Sequence, residues 1–237
     1  MKKITYSVLD LSLITSDGNA ATAIQRTVQL AQKAESLGYR RVWLAEHHNM
    51  EYVASSATSV LIGHVAGKTT HIRVGSGGIM LPNHAPLAIA EQFGTLETIY
   101  PGRIDLGLGR APGTDQQTAL ALRRGDLNTA YQFPNDVTAL QKFFSSSNKT
   151  AAVRAFPAEG LAIPIWILGS STDSAYLAAE MGLPYAFAAH FAPRQFKIAL
   201  QIYRNNFQPS PYLDKPYVLA CVNGVDRKST RLNSSHT

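Results

Sequence analysis

Gly38-Tyr39-Arg40-Arg41-Val42-Trp43-Leu44-Ala45-Glu46-His47-His48 is the stretch from which the fold is read. Gly38 stops a helix-like run, residues 41–45 are a short β-forming segment, and chemistry-bearing side chains follow at once. The same order recurs along the chain. Other β-forming runs end in Ser7-Val8-Leu9-Asp10, Val74-Gly75-Ser76-Gly77-Gly78, Leu108-Gly109-Arg110 and Ile167-Leu168-Gly169-Ser170-Ser171, and helix-like stretches lead from one to the next. Reactive residues gathered at the carboxyl ends of successive parallel strands are how α/β barrels build active sites. The expected fold is therefore α/β, a TIM (β/α)8-type barrel, and the expected role is enzymatic.

Working outward, residues 4–9 alternate as a first strand, and Asp17-Gly18-Asn19 makes a turn and an N-cap. The helix that follows runs to Leu37, with Ile24, Val28, Ala31, Ala34 and Leu37 at intervals of three and four. Ser55 and Ser56 are expected to cap a helix over 57–66, and 72–75 is the third strand. Residues 87–100 form the next helix, with Ile89, Phe93, Leu96 and Tyr100 on one face and Pro101-Gly102 ending it. Residues 103–108 are the fourth strand. The region 111–160 breaks the rhythm; it is polar, contains Ser145-Ser146-Ser147-Asn148, and reads as an excursion above the barrel. Strands over 163–168, 185–188 and 217–222 resume the pattern, with helices over 173–181 and 193–207. That makes seven strands where a closed barrel needs eight, so the barrel is expected to be incomplete. Residues 1–225 read as one truncated barrel domain. Residues 226–237 hold one large aliphatic residue and no periodicity, and read as a disordered or artefactual tail.

A chain of 237 residues, 45% hydrophobic and 16% charged, can bury one substantial core. The longest apolar stretches, such as 162–169, fall far short of the roughly 20 residues of a membrane helix. Met1-Lys2-Lys3 leads into a strand-like run rather than a signal-peptide core, so a cytoplasmic location is expected, with no membrane partner. The lone Cys221 excludes an internal disulfide and a cysteine-based metal cluster. The net charge is +6, but Arg227, Lys228 and Arg231 supply three of the positive charges. No basic stripe remains, and a nucleic-acid partner is not expected.

His47 and His48 follow a strand directly, so alternation sends their side chains in opposite directions and makes them poor joint metal ligands. Two loop histidines that cap or pack are the ordinary alternative. Position after a barrel strand favours His47 as a proton donor or acceptor at the mouth. Ser76-Gly77-Gly78 ends the third strand with two residues that lack a β-carbon. A plain turn would explain them, but the apolar run Ile79-Met80-Leu81-Pro82 that follows suits a wall facing a flat ring system. Gly169-Ser170-Ser171-Thr172-Asp173-Ser174 places hydroxyls and backbone N–H groups together at a helix N-terminus, which is a phosphate-binding geometry. Ordinary N-capping accounts for one hydroxyl there, not three. Arg110, otherwise a surface salt-bridge partner, can add charge-assisted contacts to a phosphate.

These segments resemble the bacterial-luciferase-like, flavin-dependent oxidoreductases, and within them the non-luminous monooxygenase-type members. The resemblance runs through residues 38–50, 73–87, 90–96, 101–113, 165–171 and 182–188, in order and at family-like spacing. It implies an α/β barrel that holds reduced FMN at its carboxyl face, the flavin being supplied by a separate reductase. The phosphate would lie on Ser170, Ser171 and Ser174 with Arg110. The ring would lie against Ser76, Gly77 and Gly78, where the family often has a non-proline cis peptide. His47 matches the family's catalytic histidine, and the substrate would be a small organic molecule oxidised with O2. Family members often form homodimers. Luminous members carry a reactive cysteine where this chain has Gly109, so light emission is not expected. Three alternatives stand beside this reading: a deazaflavin-dependent hydride-transfer enzyme on the same barrel, an inactive flavin-binding protein, and a metal-dependent hydrolase built on His47 and His48. The last is disfavoured because no carboxylate or histidine partner stands at ligand spacing in the sequence, and no metal site is expected.

Overall fold

Short runs rich in β-branched and aromatic residues set a parallel sheet, and the helices between them cover its outer face. The computed structural model describes residues 4–123 and 128–224; the tail expected over 226–237 lies outside the described residues. The strands are β1 (Ser7–Asp10), β2 (Arg41–Leu44), β3 (Arg73–Ser76), β4 (Ile79–Met80), β5 (Ile104–Gly109), β6 (Ile165–Gly169), β7 (Tyr185–Ala188) and β8 (Val218–Cys221). They pair in parallel in the order β1-β2-β3-β5-β6-β7-β8, while the two-residue β4 lies beside β5. Among the described residues the result is a path of seven parallel strands, with β4 beside it, nearly closed into a barrel between β1 and β8. The seven-strand count expected from sequence holds, and β4 is a paired segment that the apolar-wall reading did not anticipate.

Alternation along the strands sorts the core into two layers. Val42, Leu44, Val74, Ile104, Leu106, Leu108, Ile165 and Ile167 pack outward with the helices in one large cluster. Trp43, Trp166 and Ala186 form a separate cluster inside the barrel, with Leu9, Leu168 and Leu219 against it. Buried charge shares that interior. Asp105 is fully buried and accepts from Arg41 Nε at 3.0 Å, Trp43 Nε1 at 3.1 Å and Arg73 Nε at 2.9 Å.

The helices are α1 (Ala20–Ser36), α2 (Thr58–Ala66), α3 (Pro86–Ile99), α4 (Gln116–Leu122), α5 (Phe133–Phe144), α6 (Thr172–Glu180) and α7 (Phe196–Asn206). Asn19 caps α1 in a reciprocal capping box with Thr22, as the turn at 17–19 suggested. The buried stripe of α1, however, is Ala23, Thr27, Ala31 and Ala34, while Ile24 and Val28 are only partly buried and Leu37 is exposed. Small residues let this helix sit close to the sheet, and Thr27 Oγ1 donates to Asp10 at 2.6 Å. The serine cap expected for α2 is also absent: Ala57 is the N-cap, and Ser55 donates instead to the Leu11 carbonyl.

The larger correction concerns 111–160. Its second half is not an excursion, because α5 buries Phe133, Val137, Leu140 and Phe144 in the outer core cluster. Each such side chain contributes about 1.5–3 kcal/mol on full burial, which makes α5 a wall of the barrel. The chain leaving α5 then crosses α3 at Gly94, where a β-carbon would fall 2.5 Å from Ala158 Cα.

Candidate active site

The loops leaving β2 and β5 are strapped together at the carboxyl end of the sheet. Gly113 lies in the left-handed region at φ +64 and turns its carbonyl towards the β2 loop. That oxygen meets His47 Nδ1 at 3.2 Å and accepts from the His48 backbone N–H at 3.4 Å. A carbonyl can only accept, so this contact calls for a proton on His47 Nδ1, and in the neutral form of the ring Nε2 keeps the lone pair. A β-carbon at Gly113 would stand 2.9 Å from the Glu46 carbonyl and 3.0 Å from Met80 Cγ, so glycine is needed here for both angle and space. Thr114 Oγ1 donates to the His48 carbonyl at 3.0 Å, and Asn49 Nδ2 to Asp115 at 3.1 Å. Asp115 also caps α4, and the Thr118 backbone and hydroxyl, with Asn49, hold its carboxyl below the usual range.

Glu46, 1% exposed, sits beneath this strap. Its Oε1 meets His48 Nε2 at 2.8 Å and His84 Nε2 at 2.9 Å, and its Oε2 accepts from the Met80 backbone N–H at 3.1 Å. Burial works to raise its pKa, but the bonds from His48 and His84, the charge of His84 and the Met80 N–H outweigh that and hold it at about 2. The carboxylate and second histidine that the sequence did not display at ligand spacing therefore exist in space, with the ligating atoms of Glu46, His48 and His84 within 4.8 Å of one another. His47 and His48 take different side-chain partners, the Gly113 carbonyl and Glu46.

Ser76 ends β3 fully buried, and its hydroxyl bridges to β5 by donating to the Gly107 carbonyl at 2.8 Å and accepting from the Gly107 N–H at 2.9 Å. Its side chain is engaged there, leaving backbone as what this residue presents. The Gly77–Gly78 peptide bond is cis. A β-carbon at Gly77 would stand 2.7 Å from Leu9 Cδ1, and one at Gly78 2.8 Å from the Gly107 carbonyl. Met80 continues from here and approaches Gly109 and Gly113.

At the end of β6, Ser171 is the N-cap of α6 yet makes no capping bond, which leaves its hydroxyl uncommitted to the helix. Ser170 beside it is half-buried. Ser174 turns inward, donating to the Ser171 carbonyl at 2.7 Å and meeting the Tyr185 hydroxyl at 2.9 Å. Burial pushes the Tyr185 hydroxyl up to about 12, so it stays protonated near neutrality and braces the loop. Arg110 lies exposed with Nη2 3.7 Å from Asp173 Oδ2 in the first turn of α6. The donor set of hydroxyls, helix N-terminus and guanidinium fits an anion such as a phosphate.

The segment 110–115 thus touches both candidate regions, the serine loop through Arg110 and His47 through Gly113. Glu46, His84 and Gly113 were not singled out as site residues by sequence reasoning. Two open grooves share His48 and Asn49 in their lining, and neither takes in His47, Gly77, Gly78 or Ser170. Among the described residues no helix is long and apolar enough to cross a membrane.

A family model described as luciferase-like monooxygenase matches residues 4–218. A luciferase-like monooxygenase of Escherichia coli (strain K12) is 54% identical over 230 residues, covering 97% of this chain and 69% of that protein. Among solved structures, apo-MsnO8 matches with a TM-score of 0.87 and 34% identity, covering 92% of this chain and 65% of that one. The oxygenating constituent of 3,6-diketocamphane monooxygenase from the CAM plasmid of Pseudomonas putida, in complex with FMN, matches with a TM-score of 0.69 and 17% identity. It is covered over 64% of its length by 87% of this chain, and at that identity the likeness is one of fold. The chain spans about two thirds of the length of these proteins.

Proposed function

We propose, for a chain that belongs to the luciferase-like monooxygenase family, that it oxidises a small organic substrate with reduced FMN and O2 at the carboxyl ends of its strands. The observation that carries this reading is segment 110–115, which reaches the serine loop through Arg110 and Asp173 and His47 through the Gly113 carbonyl. Reduced FMN, when bound, supplies the electrons that activate oxygen. Ser170, Ser171 and Arg110 hold the phosphate, and Ser174 steadies their loop through Tyr185. The backbone of Ser76, Gly77 and Gly78 and the apolar side chains of Ile79 and Met80 flank the ring and exclude water. His47 takes or returns a proton at Nε2 while Nδ1–H remains on the Gly113 carbonyl. A separate cytoplasmic reductase as the source of reduced flavin, and a homodimer as the working unit, belong to the same proposal.

The test is an oxygen-labelling experiment. The protein is given photoreduced FMN, a panel of small organic substrates and 18O2, and products are read by mass spectrometry. Flavin-dependent appearance of one labelled oxygen in a product is the expected result. Reduction of a substrate by a reduced deazaflavin without label would favour hydride transfer, and tight flavin binding with no product would favour an inactive binder.

A further inference from the structure

Three donors from two separate segments converge on one buried carboxylate, that of Glu46. An ionised carboxylate only accepts, so His48 and His84 must both present Nε2–H to it, and in their neutral forms both keep the lone pair on Nδ1. His47, between Glu46 and His48 in the chain, has the reverse arrangement, with its proton on Nδ1 facing the Gly113 carbonyl. The acceptor-only partners therefore dictate which nitrogen keeps the proton in the neutral form of each ring. Both carboxylate oxygens of Glu46 are engaged, Oε1 by the two rings and Oε2 by the main chain at Met80. Glu46 ends the run from β2, Met80 ends β4, and His84 follows before α3, so this one side chain ties the loop bearing His47 to the segment continuing from Gly77 and Gly78.

Resting on the flavin reading of this mouth, we infer that Glu46 is a positioning residue that locks the rings of His48 and His84 and the Met80 backbone into one frame, and so registers His47 against the apolar wall. Around it stand those three donors, and in the Gly113 segment Asp115 is turned to Asn49 and Thr118. Among the described residues, the carboxylate that both rings meet is that of Glu46.

Glu46→Gln tests the inference, because the amide keeps one acceptor oxygen but its nitrogen cannot accept. Long-range 1H–15N spectra of the flavin-free protein are expected to show Nε2–H tautomers for His48 and His84 and Nδ1–H for His47. In E46Q the first two should become tautomer mixtures and the Met80 amide should shift, while His47 keeps Nδ1–H. With reduced FMN, E46Q should lose about 10- to 100-fold in turnover, the scale of a small misplacement of reacting groups, with flavin affinity held within about twofold. Glu46→Asp, one methylene shorter, should restore one ring at most and recover part of the turnover. Unchanged tautomers of His48 and His84 in E46Q would overturn the inference whether or not the protein binds flavin. Disturbed tautomers with wild-type turnover would overturn the positioning role. If the wild-type protein bound no flavin while its rings responded to E46Q as described, the functional reading would fall and the hold of Glu46 on the rings would stand.

Discussion

His47→Ala is expected to lower turnover by roughly 10²- to 10⁴-fold, the usual contribution of a positioned acid–base group, while leaving the FMN dissociation constant within about twofold. The split follows from where the ring is held. Its Nδ1 is tied to the Gly113 carbonyl, so the atom left for chemistry is Nε2. The proposed phosphate holders are Ser170 and Ser171 on the loop after β6 and Arg110 after β5, and His47 is not one of them. Steady-state kinetics at saturating reduced FMN, paired with an equilibrium flavin titration, separates the two quantities. A variant with weakened flavin binding and intact turnover would reverse the roles assigned to His47 and the serine loop.

Asp105→Ala is expected to destabilise the fold by about 3–5 kcal/mol, the cost of removing one partner of a buried ion pair. Asp105 is fully buried inside the barrel, and Arg41 is only 4% exposed. Without the carboxylate, Arg41 keeps its place over Trp166, with the guanidinium 5.0 Å from the ring centroid, but has lost its counter-charge. Arg73 is better placed to compensate, since 21% of its side chain reaches solvent. Exchanging both members, as Asp105→Leu with Arg41→Met, should therefore cost much less than the single change, because apolar groups replace both buried charges together. Urea denaturation followed by circular dichroism reads the difference. An Asp105→Ala protein within about 1 kcal/mol of wild type would show that solvent reaches the barrel interior.

The strand ends were legible because their signals are local. β-Forming runs, glycines and the hydroxyl cluster lie within a few residues of one another, and β7 falls on the expected residues 185–188. Helix faces were legible only where hydropathy contrast was high. Ile89, Phe93 and Leu96 do face inward on α3. On α1 the buried positions are alanines and a threonine, whose pattern is hidden beside Ile24 and Val28. In α5 the stripe Phe133, Val137, Leu140 and Phe144 is helical in spacing, but the polar sequence around it concealed that it is a barrel wall. The Glu46–His84 bond joins residues 38 positions apart and the His47–Gly113 contact residues 66 apart. Periodicity carries no information at such separations; only the register of parallel strands brings these groups together.

The most direct measurement of the central claim, that a flavin phosphate rests on the loop after β6, compares FMN with riboflavin. Both are titrated as reduced flavins into the wild-type protein and into Ser171→Ala by fluorescence under anaerobic conditions. A phosphate held by hydroxyls and a guanidinium contributes about 1.5–3 kcal/mol per charge-assisted bond, so FMN should bind wild type at least about tenfold more tightly than riboflavin. Ser171→Ala should narrow that gap by weakening FMN alone. Equal affinities for the two flavins, or a Ser171→Ala change that weakens both alike, would contradict the account.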